Sequence, residues 1–208
     1  MKVSFNKALA FFVLCLLMCA CSRRDISFTE IEGKVYEIGT NSPIANAHVR
    51  FEWWDPAVYG ETKHHVDSGR SDALGNYKLS GNVPEDQEYY VIAKAPQYFL
   101  TEHTEVMKTN VRRGVNQTVH LDLIPYAWIR MHISSIGDFN NMHINSIVGS
   151  SRNYQFLAGS DTSLISAPVL GNRAVEINMF KYKWGLQETE QVWVQTIGHD
   201  TVDVYLSF

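Results

Sequence analysis

The sequence predicts an all-β chain built as two consecutive antiparallel β-sandwich domains, and three observations predict it. Its hydrophobic runs are short, rich in β-branched or aromatic residues, and bounded by Gly, Pro, Asn or Ser, which is how strands of a sheet appear in sequence. Several runs alternate with a period of two, so that each presents one apolar and one polar face. Turn residues recur at short intervals from Gly39 to Gly198, close enough for a succession of hairpins.

The first residues read as a delivery segment. Lys2 and Lys7 precede an apolar run from Ala8 to Ala20 that is too short to span a bilayer, so residues 1–20 are expected to be a signal peptide. The run ends Met18-Cys19-Ala20-Cys21-Ser22, which looks like a bacterial lipobox and makes Cys21 the expected lipidation site. Residues 21–27 then form a lipidated tether carrying Arg23 and Arg24, and the membrane is a partner through the Cys21 lipid. No acidic run follows Cys21, which favours the periplasmic side of a bacterial outer membrane. Cleavage leaves one cysteine, so the mature chain relies on its core rather than on disulfides.

Residues 28–125 form the expected first domain. Phe28–Ile38 is a first strand and Gly39-Thr40-Asn41-Ser42-Pro43 its turn. Ala47–Trp54 alternates, with Val49, Phe51 and Trp53 facing inward and His48, Arg50, Glu52 and Trp54 facing the wetter side. Asp55–Ser71 is expected to be a long irregular loop, Asp72–Gly75 a tight turn, Asn76–Leu79 and Tyr89–Ala95 strands, and Thr104–Val111 and Val115–Ile124 two more strands. The segments Gly33-Lys34-Val35, Pro43-Ile44-Ala45-Asn46-Ala47-His48-Val49, Asp72-Ala73-Leu74-Gly75-Asn76-Tyr77 and Tyr89-Tyr90-Val91-Ile92-Ala93 together resemble the carboxypeptidase regulatory-like (transthyretin-like) β-sandwich of bacterial envelope proteins. The resemblance implies a non-catalytic sandwich over residues 28–125. Ser71 stands where that family usually has Thr. Gln97 stands where it usually has Gly, which brings the following turn into question.

Residues 126–208 are expected to be a second all-β domain of no recognised family. Ile129, Met131 and Ile133 alternate with Trp128, Arg130 and His132; after a Gly/Asn-rich loop come strands at Tyr154–Leu157, Leu164–Leu170, Ala174–Tyr182, Val192–Ile197 and Val202–Phe208.

Charge and motif content narrow the function. Removing Lys2 and Lys7 leaves 16 basic against 22 acidic side chains, a net charge of −6, which gives a nucleic-acid partner no electrostatic support. No nucleophile elbow, zinc helix or phosphate loop is present, so no catalytic residue, metal site or cofactor is expected. Trp54, on the polar side of its strand, and Tyr59 in the following loop are the candidate binding residues, since an aromatic ring beside hydrogen-bonding groups suits a sugar or a protein contact. The leading expectation is a non-enzymatic envelope lipoprotein that binds an unidentified protein or glycan. A structural spacer and a hydrolase with an unrecognised site in the second half are the alternatives.

Overall fold

The long run Ile26–Glu37 becomes the strand β1, around which the first sandwich assembles. The computed structural model describes residues 26–57, 60–84, 87–99, 109–135, 138–147, 152–159 and 161–208. One sheet sets β1 between β4 (Asn76–Pro84) on one flank and β7 (Asn116–Thr118) and β8 (Leu121–Leu123) on the other. The facing sheet has the order β3-β2-β5-β6, from β2 (His48–Ala57), β3 (Gly60–Arg70), β5 (Glu88–Lys94) and β6 (Thr109–Val111). Ile31, Val35, Leu79 and Leu123 of the first sheet meet Val49, Phe51, Val91 and Ala93 of the second in one buried cluster. These are the inward positions of the alternating runs, removed from water by sheet-on-sheet packing.

The second half repeats this plan with its own core. Here β9 (Tyr126–Ser134) lies between β12 (Thr162–Ile165) with β13 (Val169–Leu170) and β16 (Thr201–Ser207). The facing sheet runs β11-β10-β14-β15, from β10 (Asn141–Ile147), β11 (Tyr154–Leu157), β14 (Ala174–Lys183) and β15 (Leu186–Gln195). In each half the first strand pairs antiparallel on one flank and parallel with the last strands on the other: β8 with β1, and β16 with β9. In each half the second sheet places the third, second, fifth and sixth strands side by side, β12 and β13 counting as one interrupted fourth strand. The part of the chain with no recognisable family is thus a second copy of the first half's topology. The sheets are antiparallel as expected except at β7, β8 and β16, which arrive by crossover and not by hairpin and so run parallel to their neighbours.

Four other expectations change. Most of the expected loop from Asp55 to Ser71 is strand: β2 and β3 form a hairpin paired from Ala57 with Gly60 to His48 with Arg70. β3 is an edge strand of sequence GETKHHVDSGR, which needs only backbone bonds from β2 and so carries little apolar pattern. Asn141–Ile147, expected within a loop, is the central strand β10, whose Met142, Ile144 and Ile147 are fully buried. β15 begins at Leu186, six residues before the expected Val192, because its first six residues are all exposed. Most of the strand expected from Thr104 lies outside the described residues; β6 is its described end. The expected strand from Val115 is divided into β7 and β8, where the Val119 carbonyl presses against Gly33. A Cβ on Gly33 would lie 1.7 Å from that oxygen, so only glycine fits.

Strand directions fix which parts lie at which end. β1 runs from Ile26 to Glu37, and Glu37 meets Asn172 and His199 of the second half. β14 starts just after Asn172 and runs away from this junction to the turn at Trp184, and β15 returns to Thr196. Ile26 and Trp184 therefore each lie at the end of their own half that points away from the junction.

Candidate functional site

The residues nominated by sequence are distributed as follows. Cys21 and Tyr59 lie outside the described residues, as does the side chain of Trp54. The Trp54 backbone belongs to β2, paired with Lys63 and Glu88. The polar side of β2 is not the wet face expected. Glu52 is 4% exposed, and Tyr90 and Ile92 beside it on β5 are buried as a small separate cluster. Arg50 pairs with Glu52 at 3.2 Å. Near the junction end the same face carries His48, Arg70 and Lys94 around a recess of about 400 Å³. Burial lowers the His48 pKa, and Arg50, Arg70, His65 and Lys94 lower it further, so His48 is held toward its neutral form. His64 stacks on Trp53 with ring centroids 3.7 Å apart. Among the described residues no three His, Cys, Asp or Glu side chains converge as metal ligands.

One constellation has the composition of a hydrolytic triad. His132 on β9 lies 2.8 Å through Nδ1 from Ser163 Oγ on β12 and 2.7 Å through Nε2 from Asp203 on β16. Hydrogen bonding from His132 lowers the Asp203 carboxyl, and Arg130 at 3.2 Å adds to this. Three adjacent strands bring these groups together, which no spacing in the sequence indicates. A nucleophile also needs donors aimed at the developing oxyanion. The backbone N–H groups here belong to the sheet ladder, and Tyr205 stacks over the His132 ring with centroids 4.6 Å apart. The arrangement is a cross-strand network on an open sheet face and has no built place for an acyl group.

Among the described residues, the junction between halves holds a densely hydrogen-bonded polar site. The Glu37 carboxylate accepts from Tyr98 Oη at 2.8 Å, Asn172 Nδ2 at 3.0 Å and Thr40 Oγ1 at 3.0 Å, and His199 Nε2 lies 3.0 Å away. Burial alone would raise the Glu37 pKa, but hydrogen bonds from Tyr98, His199, Thr40 and Asn172 outweigh it and leave the carboxyl below its ordinary value. The Tyr98 hydroxyl is pushed well above the usual phenol range by burial and by Glu37. Gln97, where a glycine was expected, takes φ 63°, and its carbonyl accepts from Tyr126 N at 2.8 Å. The questioned turn forms with a residue held in the left-handed region, fixed by the second half of the chain.

The turn between β14 and β15 carries a strained aromatic residue. β14 and β15 pair over ten residues each, and the two residues between them have φ 48° at Trp184 and 83° at Gly185. Positive φ at both positions is a type I′ turn, which favours Asn-Gly; a tryptophan at the first position is an outlier. Trp184 is 80% exposed and Leu186 beside it 72%, so packing does not hold the strain. Sequence reading passed over Trp184 because a lone Trp-Gly carries no motif.

Comparison with known proteins gives a limited picture. No family profile and no curated protein matches the chain. Among solved structures it is similar to the Bacillus anthracis TIE protein (12% identity, TM-score 0.33, covering 86% of this chain and 34% of that one). A streptococcal ancillary pilin (11%, 0.36, 86% and 62%) and the shaft pilin SpaA of Lactobacillus rhamnosus GG (7%, 0.32, 88% and 98%) are also similar. The chain thus spans less than two thirds of the length of the first two. At these identities and TM-scores the likeness carries no argument about activity or partners; the all-β sandwich assignment rests on the sheets themselves.

Proposed function

We propose that this is a non-enzymatic, lipid-anchored envelope protein whose two sandwiches form a stalk that presents the β14–β15 hairpin to a partner away from the membrane. The observation that carries this reading is that Ile26, five residues after Cys21, and Trp184 each lie at the end of their own half away from the junction at Glu37. Strands of 12 and 10 residues rise about 3.3 Å per residue, so the span is at most roughly 70 Å. The family resemblance of residues 28–125 to non-catalytic envelope sandwiches supports the same reading, and the repeated topology extends it to residues 126–208. Binding and spacing, separate alternatives from sequence alone, become two parts of one role.

Two measurements test it. Cys21→Ala should move the protein from the membrane to the soluble fraction; a variant that still pellets with membranes and incorporates fatty acid overturns the anchor. In that cysteine-free mature background, spin labels at Ile26→Cys and Leu186→Cys should report a separation on the order of 60–70 Å, from the same strand rise. A distance below half of this means the halves fold back on one another, and the stalk reading fails.

A further inference from the structure

The anchor end of the first sandwich has the chemistry of a surface that rests on lipid. Ile26 is 66% exposed and Phe28 57%, both on the outward side of β1, and Val115 at the same end is 44% exposed. The turn carrying Val115 lies beside the start of β1: Gly114 N donates to Thr29 Oγ1 at 2.9 Å, and Asn116 is in register with Glu30. The same turn supplies Arg112, which is exposed, and Arg113, which is half-buried. Among the described residues, Glu30 is engaged by Lys78 at 2.9 Å and Glu88 by the Tyr90 hydroxyl; in sequence, Asp25 precedes Ile26, and Glu85 and Asp86 follow its register partner Pro84. Exposed apolar side chains beside arginines, on a chain whose net charge is otherwise negative, match an anionic headgroup layer with acyl chains beneath it.

We infer that this end, through Ile26, Phe28, Val115 and Arg112, seats on an anionic lipid surface and holds the stalk upright. The inference rests on the lipid-anchor reading, because the five residues from Cys21 to Ile26 reach at most about 17 Å when fully extended. A lipid on Cys21 keeps the patch within about 17 Å of the bilayer surface, so a modest intrinsic affinity suffices at that effective concentration. Arg23 and Arg24 add positive charge along the same five residues, offset in part by Asp25. A second copy of the chain is the poorer occupant, since it would bring Arg112 and Arg113 of two molecules toward one another.

The test uses the intact lipidated protein in vesicles of phosphatidylethanolamine and phosphatidylglycerol with brominated acyl chains. An environment-sensitive fluorophore is placed at Phe28→Cys or, as a control, at Ile165→Cys, which is 53% exposed in the second half. Vesicle flotation comes first and reads the anchor alone; a protein that does not float fails the anchor reading before the patch is addressed. In floated protein the label at 28 should be quenched several-fold more by brominated lipid than the label at 165, and shielded from aqueous iodide. Arg112→Glu should reduce that difference, with an unchanged melt showing that the fold is intact. Equal iodide access at both positions overturns the proposal. Shielding of the label at 28 that persists in lipid-free protein also overturns it, in favour of contact between copies.

Discussion

Ser71 and Trp184 show what single residues contribute beyond their hydrophobicity. Ser71 is buried, and its hydroxyl accepts from Ala47 N at 2.9 Å while donating to Ile44 O at 2.7 Å. It thereby ties the start of β2 to the end of β3 and performs the bridging that a threonine hydroxyl would. Ser71→Ala leaves a buried donor and acceptor unmet and should cost about 1–3 kcal/mol, read as a lower denaturant midpoint at constant m-value. Trp184→Asn works in the opposite direction. It places the favoured Asn-Gly pair in the type I′ turn and should raise stability by roughly 1 kcal/mol, the lower end of the cost of a strained φ. An unchanged or lower melting temperature would mean that the tryptophan side chain has a packing partner. A stabilised variant that still loses its partner would mark Trp184 as strain retained for contact.

At the scale of elements, the long edge strand β15 is protected by charge rather than by cover. Glu188 and Glu190 alternate along its exposed first half, and Lys181 on β14 pairs with Glu190. An antiparallel pairing of two β15 edges would oppose like charges, which is how natural edges resist self-association. Replacing both, Glu188→Val with Glu190→Val, should produce concentration-dependent dimers or aggregates detectable by sedimentation, with little change in the monomer's melt. A strictly monomeric double variant would show that the edge is guarded by something other than these carboxylates.

For the whole molecule, Glu37 decides how the halves are joined. Its carboxyl titrates below the ordinary value near 4.5, so the unfolded chain binds the proton more readily than the folded one. The resulting stability is fully present above pH 4.5 and is lost as pH falls through the folded value. Glu37→Gln should flatten the stability-against-pH curve below pH 4.5 while leaving the contributions of Asp72 and Asp203, also depressed, in place. An identical acid limb in the variant would mean that Glu37 is not coupled to folding. Each half has its own buried cluster, so we propose that the two halves fold separately. Residues 26–125 alone should then melt cooperatively, though at a lower temperature than the full chain, because Glu37 loses Asn172 and His199. A chain without a cooperative transition would make the pair a single folding unit.

The sequence by itself determined the fold class, the inward residues of β2 and β9, and the turn chemistry at Asp72. That aspartate accepts from Leu74 N and Asn76 N at 2.8 Å each. These features follow from local rules: alternation selects a buried face, and side chains satisfy nearby backbone groups. It did not determine β3 or the first half of β15, because an edge strand is specified by its neighbour's backbone and not by its own pattern, nor β10, whose inward Met142 and Ile144 sit in a short run amid Asn and Gly residues. Nor did it disclose that residues 126–208 repeat the topology of residues 28–125, since many sequences fill one sandwich core. Only the tertiary structure decided that His132, Ser163 and Asp203 adjoin, that Glu37 receives bonds from residues more than 130 positions away, and that Ile26 and Trp184 each lie away from that junction. Each of these depends on strand order and direction, which arise from long-range pairing and leave no periodic signal in the chain.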